Sequence, residues 1–299
     1  MNVYYIRTRL QALIVEEIMK TQTMSKNIIV FSYQYSREED SEEVYQIYNR
    51  ISSKCFFVYH MVMTDGFVKN LAIIYFLNLI ALFSKGKIYF AGIDNYQFAT
   101  AYKISPFVPL CSFDDGSANF LRSSKYYKEI PKSGRGTGKT LLRFLFPKGC
   151  AYYLRSKISH HYTIFPGLSN IVSSDKVTAL KWDWLSFLDK SDLDRVPECV
   201  TTVILGTPYH EYKDGERLEG IAKKLLIDAD LYISHPRERK IMDTEIVQNF
   251  KSPAEALLKY LSSFHCLKVY HFNSTVAYSL SAEEIINFVD VLANDTKAP

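Results

Sequence analysis

The segment Asn2 to Glu17, "NVYYIRTRLQALIVEE", decides how this chain folds. Residues 3–6 form a short aromatic and β-branched run of strand character, and from 10 to 20 the apolar residues recur at helical spacing. A strand that feeds a helix so directly opens a β-α-β unit. The same alternation continues along the chain. Apolar runs at 27–32, 55–61, 87–91 and 107–113 have strand length, and helix-period segments at 41–51, 68–83 and 96–102 lie between them. Such a chain builds a parallel, doubly wound sheet whose ligands sit at the carboxyl ends of the strands.

The pattern returns at 179–182 and then in the strand "TTVILG" (201–206), a helix at 217–227, the strand "LYIS" (231–234), a helix at 253–263, a strand at 267–271 and a helix at 282–292. Two such series predict an α/β protein of two Rossmann-like domains facing each other across a cleft, divided as 1–155 and 156–299. A chain of 299 residues has ample capacity for two cores.

Composition narrows the classes. Hydrophobic content of 47% with 23% charged residues is that of a globular chain. Tyr 22 and Phe 19 against Trp 2 point to an aromatic core. A net charge of +4 is a mild bias towards anionic ligands or an anionic membrane face, and far from a nucleic-acid-binding tail. Cys55, Cys111, Cys150, Cys199 and Cys266 include no CxxC pair, so they read as buried thiols of a reducing cytoplasm, without a zinc site or a disulfide framework. The N-terminus carries acids where a signal peptide would stay apolar. The greasiest run, "LAIIYFLNLIALFS" (71–84), is too short to span a bilayer and contains Asn78, so it reads as a buried core helix.

One stretch invites another reading. "PKSGRGTGKT" (131–140) resembles a phosphate-binding loop, but a Walker A spacing puts a glycine at position 133, where Ser133 stands. The preceding residues are polar and include Pro131, unlike the buried strand such a loop requires. The segment 122–157 is better described by its ten Lys/Arg against the single acid Glu129, interleaved with Tyr126, Tyr127, Phe144, Phe146, Tyr152 and Tyr153. It reads as a solvated basic loop that faces an anionic acceptor or the inner face of a membrane.

Three other stretches each follow a predicted strand. In "PLCSFDDGSANF", Asp114 and Asp115 are adjacent carboxylates before Gly116; one can serve as a base, or the turn can simply cap a helix. In "DLYISHPRERK", His235 and Pro236 end a strand, where an imidazolium can meet a phosphate; Arg237 and Glu238 read as an ordinary surface pair. In "VYHFNSTVAYSL", Ser274 and Thr275 open an apolar segment, as an N-cap or as a phosphate-receiving turn.

Together, and in this order, these stretches resemble the bacterial sialyltransferases, whose pattern is an acidic D/E-D/E-G motif, an HP motif and a Ser/Thr motif near the C-terminus. The opening residues, with Thr8 and Gln11 as a T-x-x-Q helix start, resemble the lipooligosaccharide sialyltransferase group, glycosyltransferase family 52. The resemblance covers nearly the whole chain. It implies a GT-B fold, CMP-sialic acid as donor, and inverting transfer without a metal or other cofactor to a galactose-terminated glycan or glycolipid. Asp115 would be the base, with Asp114 beside it. His235 would stabilise or protonate the departing CMP phosphate. Ser274, Thr275, Gly206, Thr207, Pro236, Thr8 and Gln11 would line the donor side. Asp214, in "GTPYHEYKDG", is a rival base; it is otherwise a turn residue before Gly215. A homodimer fits the group, although no interface signature is legible. Two other readings stay open here: a related transferase with another nucleotide-activated sugar, and an NTP- or nucleic-acid-binding protein that uses 122–157.

Overall fold

A computed structural model describes residues 1–22, 26–33, 42–64, 66–122, 124–128, 144–235, 238, 246–248 and 250–295. The loop 131–140 and Pro236 lie outside the described residues. The chain divides into two units, Met1–Lys181 and Trp182–Pro299.

The first unit is a seven-stranded sheet in the order β3-β2-β1-β4-β5-β6-β7. Its strands are β1 (Asn2–Ile6), β2 (Asn27–Tyr33), β3 (Phe57–Val62), β4 (Ile88–Phe90), β5 (Leu110–Phe113), β6 (Ile158–Thr163) and β7 (Val177–Ala179). Every pairing is parallel, with Val3 opposite both Ile28 and Ile88. The winding direction reverses at β1 and β4, which makes their carboxyl ends the switch point of the sheet. Helices α1 (Arg9–Thr21) and α2 (Glu42–Ser52) touch each other. Helices α3 (Phe67–Phe83), α4 (Tyr96–Ile104) and α5 (Cys150–Lys157) touch in series. Right-handed crossovers put the two groups on opposite faces of the sheet. The core is aromatic, as the composition predicts. Tyr4 and Tyr89 stack with ring centres 4.4 Å apart, and Phe90 stacks on Phe98 at 3.7 Å.

The second unit is a five-stranded sheet in the order β10-β9-β8-β11-β12. It comprises β8 (Thr202–Leu205), β9 (Leu231–Ile233), β10 (Val247–Gln248), β11 (Leu267–His271) and β12 (Ile286–Asp290). All its pairings are parallel too, and the switch point falls between β8 and β11. Among the helices are α6 (Lys190–Leu193), α7 (Gly215–Leu225), α8 (Ala254–Ser262), α9 (Thr275–Ser279) and α10 (Val291–Asp295).

Several expectations are corrected. The division falls after residue 181 and not after 155, because β6 pairs with β5 and β7 with β6. The strand "ISHHYT" looks polar in sequence, yet His161 and Thr163 are buried by their partners. Residues 286–290 form a strand and not a helix, since Ile286 to Asp290 find a complete parallel ladder against Leu267 to His271. Helix α3 forms as expected but buries only one stripe, Asn70, Ile74, Leu77, Asn78 and Ala81, and its Phe76 and Phe83 are exposed. Its two buried amides are spoken for: Asn70 Nδ2 donates to Val62 O, and Asn78 Oδ1 accepts from the Tyr5 hydroxyl. Finally, only Cys111 and Cys150 are fully buried, while Cys199 and Cys266 are exposed.

Candidate active site

In the first unit the carboxyl ends of β1, β4 and β5 carry the polar residues. Asp114 and Asp115 leave β5 in opposite chemical settings. Asp114 is 0% exposed. Its Oδ1 faces His161 Nε2 at 3.0 Å, and its Oδ2 accepts from Thr163 Oγ1 at 2.8 Å and from the Ile164 amide at 2.7 Å. His161 Nδ1 lies 2.7 Å from Ser112 Oγ. The Ser-His-Asp order is that of a hydrolytic triad, but all three side chains are sealed in the core and no substrate reaches them. Asp114 is therefore a clasp between β5 and β6, not a base.

Asp115 is half-buried. Gln11 Nε2 donates to its Oδ1 at 2.7 Å, the Tyr126 hydroxyl donates to its Oδ2, and its amide donates to Asn119 Oδ1 at 2.7 Å. Burial, and then the Asp115 carboxylate, push the Tyr126 phenol well above its ordinary value, so it stays a donor. Gly116 takes φ +59°, which lets the chain turn away directly after the two acids. The helix start at Thr8 serves this loop. Thr8 Oγ1 caps the Gln11 amide at 3.3 Å, and Gln11 Oε1 accepts from the Arg7 amide at 2.7 Å. Gln11, 1% exposed, is thus spent on orienting Asp115. The sequence reading missed Tyr126, assigned only to a basic stretch. It also missed Asp94 beyond β4, which pairs with Lys125 at 2.5 Å.

In the second unit, three strand ends side by side, β9, β8 and β11, carry His235, Gly206 with Thr207, and Ser274 with Thr275. Gly206 is sterically required. A Cβ there would stand 2.4 Å from Glu238 Oε2, 2.7 Å from the Tyr232 hydroxyl and 3.0 Å from the His235 amide. Thr207 is buried, its hydroxyl 3.4 Å from that of Tyr212. Glu238 is half-buried and not an ordinary surface residue. Its Oε2 accepts from the His235 amide at 3.1 Å and its Oε1 from the Tyr232 hydroxyl at 2.7 Å. It shapes the backbone that presents His235, and the only sequence signal was its position three residues on.

Beyond β11, Asn273 adopts φ +56° and Ser274 caps α9, its Oγ accepting from the Val276 amide at 3.3 Å. The Ser274 amide donates to His271 Nδ1 at 3.2 Å, which keeps that nitrogen unprotonated. Burial lowers the His271 imidazole below its ordinary value, consistent with that bond. Asp214 stands at the N-cap position of α7, exposed, and makes no side-chain capping bond. No group of three or more His, Cys, Asp or Glu among the described residues is arranged to hold a metal ion.

Burial raises the Glu238 carboxyl above its ordinary value, so the folded chain holds that proton more tightly than the unfolded one. The stabilising contribution is full below the ordinary glutamate value of 4.5 and is lost as pH rises through the folded value. Glu238→Gln, whose amide can donate to Tyr232 and whose oxygen can accept from the His235 amide, should not lose stability this way. The gap between variant and parent in urea midpoint should widen as pH rises above 4.5. A gap that stays constant with pH would contradict the burial of this carboxyl.

Comparison with known proteins gives three results. The model of glycosyltransferase family 52 matches residues 27–295. An N-acetyllactosaminide alpha-2,3-sialyltransferase of Neisseria meningitidis is 26% identical over 242 residues, 79% of this chain and 63% of that protein. A CMP-N-acetylneuraminate:beta-galactoside alpha-2,3-sialyltransferase of Pasteurella multocida is 26% identical over 260 residues, 83% of this chain and 78% of that protein. The chain thus spans less than two thirds of the Neisseria relative's length. In structure, the chain is similar to an S. aureus MnaA–UDP co-structure, with a TM-score of 0.51 and 10% identity over 92% of this chain and 74% of that one. These matches give the fold as GT-B, with two Rossmann-like units.

Proposed function

The chain belongs to glycosyltransferase family 52, and from that premise we propose that it is a bacterial α-2,3-sialyltransferase. In this reading it moves sialic acid from CMP-sialic acid to a terminal galactose-type hydroxyl of a surface glycan, in one inverting displacement and without a metal ion. The names of the Neisseria and Pasteurella relatives support the donor and the linkage. The observation that carries the reading is the convergence of Gly206, His235 and Ser274 on three neighbouring strand ends at the switch point of the second sheet. That is where an open parallel sheet binds a nucleotide.

The chemistry divides between the units. The second unit takes the donor. Its backbone at Gly206 approaches the nucleotide closely, and the Ser274 and Thr275 hydroxyls and the first amides of α9 meet the phosphate. His235 stabilises the developing phosphate charge or protonates it as the glycosidic bond breaks. The transition state is oxocarbenium-like, so no nucleophilic side chain is needed. The base takes the proton of the attacking hydroxyl, and we assign that role to Asp214. It is exposed, uncapped and carried by the loop that follows β8, whereas both oxygens of Asp115 already accept hydrogen bonds. Asp115, with Gln11 and Tyr126 behind it, orients the acceptor on the first unit. The acceptor would be a glycolipid or capsule glycan met on the cytoplasmic side.

A thermal-shift comparison tests the donor class, because a ligand bound only by the native state raises its stability. CMP should raise the melting temperature where UDP and ATP at equal concentration do not. A shift with ATP alone would return the reading to the 131–140 loop.

A further inference from the structure

We propose that the amino-terminal edge of the first unit's sheet is a docking face for an anionic lipid bilayer. The edge is opposite to the one that carries Asp115, so the carboxyl-edge residues leave its chemistry unexplained. The turns that enter β3, β4 and β5 lie along this edge, because those strands are parallel and in one sheet. They display Phe56 at 64% exposure, Phe83 at 81%, Ile104 at 59% and Phe107 at 79%. Scattered exposed apolar residues need no explanation, but a row of large ones along one edge does.

Around them the charge is almost wholly positive. Lys54, Lys85, Lys87 and Lys103 stand in these turns or in the last helical turns before them, and Lys26, Lys157 and Lys176 hold the same place before β2, β6 and β7. The acids beside them are Asp175 and Glu16, the latter paired with Lys54 at 2.7 Å. Helix dipoles favour cations at helix C-termini and account for Lys103 and Lys157 without any partner. They do not account for Lys26, Lys85 and Lys87, which lie outside the helices, nor for the aromatic residues. Lys26 Nζ sits 5.3 Å from the centre of the exposed Phe56 ring, so cation and apolar group share one spot. Lys85 is the sharpest case. It closes α3 with φ +54°, its amide donating to Leu82 O at 3.0 Å and that of Gly86 to Ala81 O at 2.8 Å. That left-handed position favours glycine, yet a lysine stands there, two residues from Phe83, the most exposed large apolar residue of the helix.

Lysines interleaved with exposed phenylalanines suit a surface with anionic headgroups above hydrocarbon. A second copy of this edge would oppose lysine to lysine, and single-stranded nucleic acid would leave the phenylalanines' apolar area without a hydrocarbon phase. The outer stripe of α3, with Phe76 exposed, continues the apolar surface. Strands of five to seven residues at roughly 3.3 Å per residue would hold the carboxyl edge about 20 Å above the lipid. This last step rests on the sialyl-transfer reading: it fits an acceptor sugar at the end of an oligosaccharide rather than one at the headgroup.

Vesicle flotation of the full chain, which needs no turnover, tests the face apart from the function. At about 50 mM salt the chain should float with vesicles of three parts phosphatidylcholine to one of phosphatidylglycerol, and not with pure phosphatidylcholine. Phe83→Ser with Phe107→Ser should lower partitioning by about tenfold or more, with transfer to free lactose unchanged. Lys85→Gly should bind vesicles less well and yet melt at a higher temperature, which a merely structural lysine would not do. The proposal is overturned if the parent floats with neither vesicle or if the phenylalanine pair leaves partitioning unchanged. It is equally overturned if a short single-stranded oligonucleotide displaces the vesicles from parent and variant alike, or if sedimentation shows a dimer that the pair abolishes.

Discussion

Asp214→Asn should lose transfer by about 10²–10⁴-fold, the usual contribution of a general base, with CMP affinity nearly unchanged. The asparagine is isosteric and cannot take the proton of the attacking hydroxyl. Asp214 makes no capping bond to α7, so its loss leaves the fold intact. Asp115→Asn should behave differently. Its carboxylate is held by Gln11 and Tyr126. In the variant an amide oxygen can keep the Gln11 bond while the NH₂ donates to the Tyr126 hydroxyl, which must then turn its own proton to Ala91 O. The result should be a raised acceptor KM with a modest change in kcat. His235→Ala should weaken both CMP binding and turnover, since in the proposed reaction it meets the phosphate in ground and transition states. Steady-state transfer and CMP titration on the two aspartate variants decide the assignment. If Asp115→Asn is the dead enzyme and Asp214→Asn stays active, the base lies in the first unit.

Asp114→Ala should destabilise the protein by about 3–5 kcal/mol, because each buried polar group left without its hydrogen-bond partner costs about 1–3 kcal/mol. Three groups lose their partner in a dry site: His161 Nε2, the Thr163 hydroxyl and the Ile164 amide. For a unit of this size the melting temperature should fall by roughly 6–20 °C. Asp114→Asn should cost much less. Its oxygen can still accept from Thr163 and Ile164, and its NH₂ can donate to His161 Nε2 when His161 donates from Nδ1 to Ser112. Differential scanning calorimetry on the two variants reads this directly. Equal, small shifts would mean that the clasp carries little stability and that Asp114 is held for another reason.

The contrast between the two neighbouring acids shows where sequence reading stops. Adjacent carboxylates after a strand are visible in "DDG", but their alternation between core and surface depends on which faces β6 covers. β6 itself is hidden in "ISHHYT", whose polar letters conceal a buried histidine and threonine. Glu238 is the same lesson reversed: a charged residue in a charged run that turns inward because the His235 amide and the Tyr232 hydroxyl wait for it.

Local periodicity determined the rest by itself. Strand and helix identities from β1 to β5, and again at β8, β9 and β11, follow from apolar spacing that each element reads within its own length. Residue types at strand ends marked His235, Ser274 and the two acids for the same reason. Only the tertiary structure decided the unit boundary, the strand character of 286–290 and the exposed face of α3. Those properties depend on partners distant in sequence. A ladder against β11 outweighs the local helical spacing of "EEIINFVDVL", and whether Phe83 is core or surface is set by what packs against its helix.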